Sequence, residues 1–208
     1  MTKVYPSYLR TDSSNFNPID YWIYGFQIAS LNFQTNDNPM KINKALFHDN
    51  GGCGYVLKPE ILRLPSLGFN PLDVSTMKNK KKFEIKIISA QKLPRSEDII
   101  MDISDPYVKI SIFGVPSDNA EKRTKPIKDN GFNPIWNEDF EFIVNCPELA
   151  FVKFNVRDED IGMDQSIGYY TIRFESMKQG YRHVRLINKE SKGTLFVGIK
   201  ITPFIENS

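Results

Sequence analysis

Long apolar runs are missing from this sequence. None approaches the ~18 consecutive residues of a membrane-spanning helix, and no signal-like segment follows Met1. Cysteine is scarce: Cys53 and Cys146 lie far apart, which suits reduced thiols in an intracellular protein better than a disulfide framework. Histidine is equally rare, and His48 and His183 form no recognisable catalytic pair. Excess charge is lacking as well. With 27 basic and 25 acidic residues the formal net charge is +2, so no global field argues for nucleic acid. Internal repeats and low-complexity tracts do not stand out. A mixture of 40% apolar and 25% charged residues is that of a soluble globular protein, and 208 residues accommodate one large domain, or one ordinary domain and a smaller piece.

The stretch around which the chain is organised is Phe47 to Pro59. Three of its residues within four positions are glycines (Gly51, Gly52, Gly54), which permits positive φ, and Asp49-Asn50-Gly51 is turn chemistry. Tyr55-Val56-Leu57 reads as a short buried strand ended by Pro59. Ahead of this turn, Lys3-Val4-Tyr5 reads as a strand end. Asn17-Pro18-Ile19-Asp20 reads as a helix start, with Asn as N-cap and Pro at the first helical position. That helix carries Tyr21, Trp22 and Phe26 and breaks near Gly25, and Gln27 to Phe33 reads as the next strand. Strand, helix and strand in about thirty residues is an α/β barrel repeat, and a closed barrel needs about eight strands and at least ~200 residues. Residues 1–63 are therefore expected to be an incomplete TIM-type α/β barrel fragment. Residues 64–82, with three prolines or glycines and the basic run Lys78 to Lys82, read as a linker. Such a run is either a solvated segment or an attraction to anionic lipid.

From Phe83 the hydrophobic period becomes two. Phe83, Ile85 and Ile87 alternate with charged residues, as do Val108, Ile110 and Ile112; Phe140 to Val144, Val152 to Val156 and Leu195 to Ile201 continue the pattern. With weaker strands near 123–127, 167–174 and 181–187, residues 83–208 are expected to form an all-β antiparallel eight-stranded sandwich.

Carboxylates concentrate at its strand ends: Glu97, Asp98, Asp102 and Asp105 in one loop, Asp129 in a second, Asp158, Glu159, Asp160 and Asp164 in a third. Converging without a cation they would repel, and calcium accepts irregular oxygen donors from loops. The plain alternative is that Asp is a common turn former.

Two sets of motifs resemble known families. Ser104-Asp-Pro-Tyr-Val108, Asn133-Pro-Ile-Trp-Asn137 and Asp158-Glu-Asp160 before Ile167-Gly168 resemble a C2 domain. Gly131-Phe-Asn-Pro134 and Lys178-Gln-Gly-Tyr-Arg-His183 narrow the likeness to the C2 domain that follows the barrel of phosphoinositide-specific phospholipase C. Arg10-Thr-Asp-Ser-Ser-Asn15, Trp22, Ala29-Ser-Leu-Asn-Phe-Gln-Thr35 and the Phe47–Pro59 turn resemble the C-terminal part of that barrel, the Y region of a delta-like enzyme.

The resemblance implies hydrolysis of phosphatidylinositol 4,5-bisphosphate to diacylglycerol and inositol 1,4,5-trisphosphate by a cytoplasmic, membrane-peripheral enzyme. It places the catalytic histidines and metal-binding carboxylates in the N-terminal half of the barrel, so the chain alone is expected to be inactive and to need that half as partner. Tyr5 matches the ring that packs on the inositol. Lys3 stands where the family usually has a phosphate-binding arginine. Tyr8 and Leu9 fall in a membrane-dipping loop. In the sandwich, the likeness implies Ca2+ held by Asp105, Asp158 and Asp160, with Asp129 from the second loop and main-chain oxygens of Ile103 and Glu159; Glu97, Asp98 and Asp164 are weaker matches. Its partner would be an anionic phosphoinositide membrane. The alternative is a non-catalytic C2 protein or an inactive phospholipase-like scaffold.

Overall fold

A computed structural model describes residues 1–94, 104–160, 164–188 and 193–205. The chain begins with strand β1 (Lys3–Val4), short helix α1 (Ile19–Trp22) and strand β2 (Ile28–Ala29), and β1 and β2 pair in parallel. The second strand is thus much shorter than the Gln27–Phe33 expected. Helix α1 starts one residue later than expected, with Pro18 at the cap position, while Asn17 Oδ1 still accepts the Ile19 N–H at 3.3 Å. Gly25, at φ +83°, follows the helix, and Phe26 lies beyond it.

An eleven-residue helix α2 (Asn38–His48) comes next, an element absent from the sequence reading above. Its start obeys familiar rules: Asp37 Oδ1 accepts the Met40 N–H at 3.1 Å, and Pro39 sits in the first turn. After it, Asn50, Gly51, Gly52 and Gly54 all have positive φ, as the turn chemistry requires. The strand expected at Tyr55–Leu57 does not form. Tyr55 and Leu57 are 82% and 75% exposed, and among the described residues no neighbouring strand offers their backbone a ladder. The apolar run misled because burial, not composition, makes a strand of this kind. Helix α3 (Glu60–Arg63) follows.

Two four-stranded antiparallel sheets then form a sandwich, as expected. Its strands are β3 (Lys81–Gln91), β4 (Pro106–Phe113), β5 (Ala120–Arg123), β6 (Ile135–Val144), β7 (Phe151–Asp158), β8 (Gln165–Arg173), β9 (Gly180–Arg185) and β10 (Thr194–Pro203). The order is β6-β3-β10-β9 in one sheet and β5-β4-β7-β8 in the other. β3 begins at Lys81, so the end of the basic run is strand, and Lys82 pairs with Glu141 at 2.9 Å. β5 lies earlier than the expected 123–127. The chain beyond it still follows β4, with the Thr124 N–H donating to Val108 O and the Ile127 N–H to Pro106 O.

The period-two residues fill the space between the sheets. Phe83, Ile85, Ile87, Val108, Ile110, Val152, Phe154, Val156, Leu195 and Val197 are all at most 2% exposed. Phe83 stacks on Phe142 and meets Phe174 edge-on, with centroids 5.8 and 5.5 Å apart. Trp136 reaches across the sandwich from β6, and its indole N–H donates to Pro106 O at 3.1 Å.

A second core joins the N-terminal segment to the sandwich. Ile19, Ile23, Ile42 and Ala45 pack with Val115, Leu149 and Phe151, and Trp22 lies 6.2 Å from the Phe151 ring. Asp49, in the glycine-rich turn, accepts from Arg173 at 3.0 Å and from the Ser176 hydroxyl at 2.9 Å. The turn that organises the sequence therefore clasps the end of β8. No helix among the described residues is long and apolar enough to cross a membrane.

Candidate functional site

Two places hold the residues singled out in the sequence. At the N-terminus, β1 presents Lys3 and leads to Tyr5, and the Lys3 ammonium sits 4.5 Å from the centre of the Tyr5 ring. Tyr5, Tyr8 and Leu9 are all well exposed. A cation poised over an aromatic face, both open to solvent, can meet a ligand that combines phosphate with a sugar ring. Lysine supplies charge without the bidentate fork of arginine, so it demands less of the phosphate geometry.

The second place is one end of the sandwich. The pairing of β4 with β7 sets Pro106 opposite Asp158, so the two strands bring Asp105 and Asp158 side by side. The Asp105 N–H donates to Asp158 Oδ1 at 2.7 Å, and the Glu159 N–H donates back to Asp105 O at 3.2 Å. The Asp129 turn, at φ +54°, aims its own N–H at Asp105 Oδ1, 2.9 Å away. Gly131 makes this approach possible, since a Cβ there would stand 3.0 Å from Ser104 Cβ and 3.3 Å from Ser104 N. Asn133 fixes the loop base by accepting the Lys92 N–H, and Pro134 O accepts that of Ala90. The two motifs thus build the loop end rather than line a cleft.

Sequence reasoning missed the cation already there. Lys128 Nζ lies 2.6 Å from Asp105 Oδ2 and 3.6 Å from Glu159 Oε2, while Arg123 lies 3.6 Å from the other Glu159 oxygen. Burial pushes the Asp105 carboxyl up, but Lys128 and the Asp129 N–H outweigh it and hold it below the usual range. The hydrogen bond to Asp105 in turn raises Lys128. A lysine directly before Asp129 was the one signal available, and nothing local says that it folds onto residue 105.

The structure gathers Asp105, Asp129, Asp158 and Glu159 at this end, with Asp160 just beyond β7. Asp164 is engaged elsewhere: it accepts from the Tyr107 hydroxyl at 2.5 Å, which keeps its carboxyl low. Glu97, Asp98 and Ile103 lie outside the described residues. As donors, hard carboxylate oxygens suit calcium. As they stand, however, both Asp105 oxygens are taken by Lys128 and the Asp129 N–H, and no three metal-ligating side chains converge among the described residues.

His48 ends α2, and His183 stacks on Phe196 with ring centres 4.8 Å apart. Cys53 and Cys146 are both free, and burial raises the Cys146 thiol far above its ordinary value.

Residues 1–61 match the model described as "Phosphatidylinositol-specific phospholipase C, Y domain", and residues 81–188 match the C2 domain. The chain is 43% identical over 210 residues to 1-phosphatidylinositol 4,5-bisphosphate phosphodiesterase delta-4 of Xenopus laevis, a match over 97% of this chain and 28% of the relative. It is 44% identical to inactive phospholipase C-like protein 1 of Homo sapiens, over 97% of this chain and 19% of that protein. The crystal structure of L. pealei PLC21 superposes with a TM-score of 0.89 at 35% identity, covering all of this chain and 27% of that one. The chain thus spans less than a third of the length of these relatives.

Proposed function

Because the chain belongs to the C2-domain family and carries the Y region of phosphatidylinositol-specific phospholipase C ahead of that domain, we propose that it is the headgroup-reading and membrane-docking portion of a phosphoinositide phospholipase. Residues 1–63 are read as part of a TIM-type barrel, with residues 64–82 as the connection to a docking module over 83–208. The observation that carries this reading is the exposed Lys3–Tyr5 pair on β1, within the segment that matches the Y domain.

In this reading the Tyr5 ring packs on the inositol face, and the Lys3 ammonium faces a ring phosphate. Tyr8 and Leu9, exposed just beyond, enter the lipid interface. The sandwich loops approach the anionic surface. When bound there, calcium would supply a divalent bridge between carboxylates and lipid phosphates. Asp105, Asp158 and Asp160 are the side chains assigned to hold it, with Asp129 and the main chain of Glu159. The work of this chain's own residues is to bind and orient the headgroup. Hydrolysis of phosphatidylinositol 4,5-bisphosphate is assigned to the chain joined with the remaining barrel half, at cytoplasmic membranes; alone it turns over no lipid.

The likeness to inactive phospholipase C-like protein 1 supports a second reading, a scaffold that binds without catalysis. A chimera separates the two. Residues 1–208 replace the matching part of 1-phosphatidylinositol 4,5-bisphosphate phosphodiesterase delta-1 of Rattus norvegicus, to which the chain is 44% identical. A working chimera releases inositol trisphosphate at a rate within about tenfold of the parent, a barrier difference of about 1.4 kcal/mol. A folded chimera without turnover refutes the enzyme reading.

A further inference from the structure

We propose that Lys128 is a built-in counter-ion of the loop carboxylates, and that a divalent cation binds this end of the sandwich only by displacing it. The inference rests on the calcium reading above and adds the residue that sets its threshold. Lys128 Nζ is 2.6 Å from Asp105 Oδ2 and within 3.6 Å of Glu159, so one ammonium serves two of the carboxylate residues that the loops gather. The other Asp105 oxygen accepts the Asp129 N–H, so the turn that carries Lys128 is bound to the same carboxylate at two points.

The exposures differ in a telling way. The Asp105 side chain is 19% exposed and that of Lys128 is 67% exposed. The carboxylate is held by the fold, while the lysine reaches in from a solvated stem. Of the two, Lys128 is the one free to leave. Its four-carbon chain has several rotatable bonds, and swinging the ammonium into water breaks no packed core.

A cation of charge +2 gains more from the carboxylates than an ammonium of charge +1, but it pays for the ion pair that it breaks. Binding is thereby weakened by the worth of the Lys128 contacts. Displacement also has an outcome at the membrane: the released ammonium stands at the lipid-facing end, where basic side chains are drawn to anionic headgroups. Lys128 is thus silent toward lipid while it is paired with Asp105 and available once it is not.

Calorimetric titration of the full 208-residue chain with calcium, after chelation and at low ionic strength, tests this on the wild type, Lys128→Met and Lys128→Arg. Lys128→Met keeps the length of the stem and removes the charge, and at an exposed position it leaves the fold intact. It is expected to bind calcium about three- to fivefold more tightly than the wild type, with the gap closing as salt is raised. Lys128→Arg is expected to stay within about twofold, since it keeps the charge. Thermal unfolding supplies a second readout. In chelator Lys128→Met melts below the wild type, because Asp105 and Glu159 lose the Lys128 ammonium and keep only the Asp129 N–H and Arg123, and calcium raises its melting temperature by more than it raises that of the wild type. Equal calcium affinity in all three chains overturns the inference and leaves the calcium reading standing. No binding by any of them at millimolar calcium overturns both.

Discussion

Strand β3 is paired along both edges, to β10 over ten residues and to β6 over most of its length, whereas β1 has two residues paired to β2 and nothing on its other side among the described residues. The two regions solve the backbone problem by different means. In the sandwich, ladders satisfy the main chain, and alternate side chains are left to form a core. In the N-terminal segment, side chains do much of the stitching. Asn15, nearly buried, donates from Nδ2 to Asn32 O, Thr35 O and Asp37 Oδ1, and its Oδ1 accepts the Asn32 N–H at 2.6 Å. Its own N–H donates to Asp37 Oδ2, the residue that also caps α2. Core follows the same division. The sandwich has its own, and the N-terminal segment borrows Val115, Leu149 and Phe151 from it. A region that buries its apolar face on its neighbour is stable only in company.

That contrast can be broken at its strongest point first. Phe154→Ala removes a ring that is 1% exposed between the two sheets. It is expected to cost about 3–5 kcal/mol and to lower the melting of the whole chain, N-terminal segment included. Asn15→Ala should cost less, about 2–3 kcal/mol, because it strands several buried polar groups without opening a large cavity. Its effect should be local: hydrogen exchange quickens over residues 13–48, while β3, β4, β7 and β10 keep their protection. If both regions loosen equally, the division between them is wrong.

The smallest effect sharpens the seam between the regions. Lys153 points outward from β7, yet it is nearly buried, and its ammonium donates to Asn38 of α2 at 2.6 Å. Burial, followed by the nearby charges of Lys41, Lys109 and Arg157, lowers it from 10.5 to about 8. Between those values the unfolded chain holds a proton that the folded chain has released, so stability rises with pH across that window. The gain should be roughly 1–2 kcal/mol, and Lys153→Met should abolish the slope. Urea titrations at pH 7.5 and pH 10 check the sign, and a fall in stability attributable to Lys153 would contradict it.

The same contrast explains what could be seen in the sequence. Five of the eight sandwich strands were legible because alternation is a local signal, repeated wherever a strand has one face inward, and Phe83-Glu84-Ile85-Lys86-Ile87 is the plainest case; the other three were weaker readings, and β5 lies at Ala120–Arg123 rather than 123–127. Helix α2 was not, because its buried residues Met40, Ile42, Asn43 and Ala45 include a polar one and a small one, which blurs the apolar stripe. Its start was nonetheless written in Asp37-Asn38-Pro39. Tyr55-Val56-Leu57 looked like a strand by composition, and it failed because strand formation needs a partner edge, which is a property of the fold. At the candidate site the acidic loops were legible as motifs. Lys128 was not, since its contact with Asp105 joins residues twenty-three positions apart, brought together by the run after β5 that follows β4. Lys3 and Tyr5 were found by resemblance, and their geometry by folding.

If this chain reads and docks on a phosphoinositide surface, it should sediment with vesicles that carry one. The 208-residue chain is spun with vesicles of phosphatidylcholine alone, or of phosphatidylcholine with phosphatidylserine and phosphatidylinositol 4,5-bisphosphate, in calcium and in chelator. It is expected to pellet with the anionic vesicles in calcium, to stay in solution with the neutral ones, and to lose part of its binding when Lys3 and Tyr5 are replaced by alanine. A chain that shows no preference for the anionic vesicles in either buffer would contradict it.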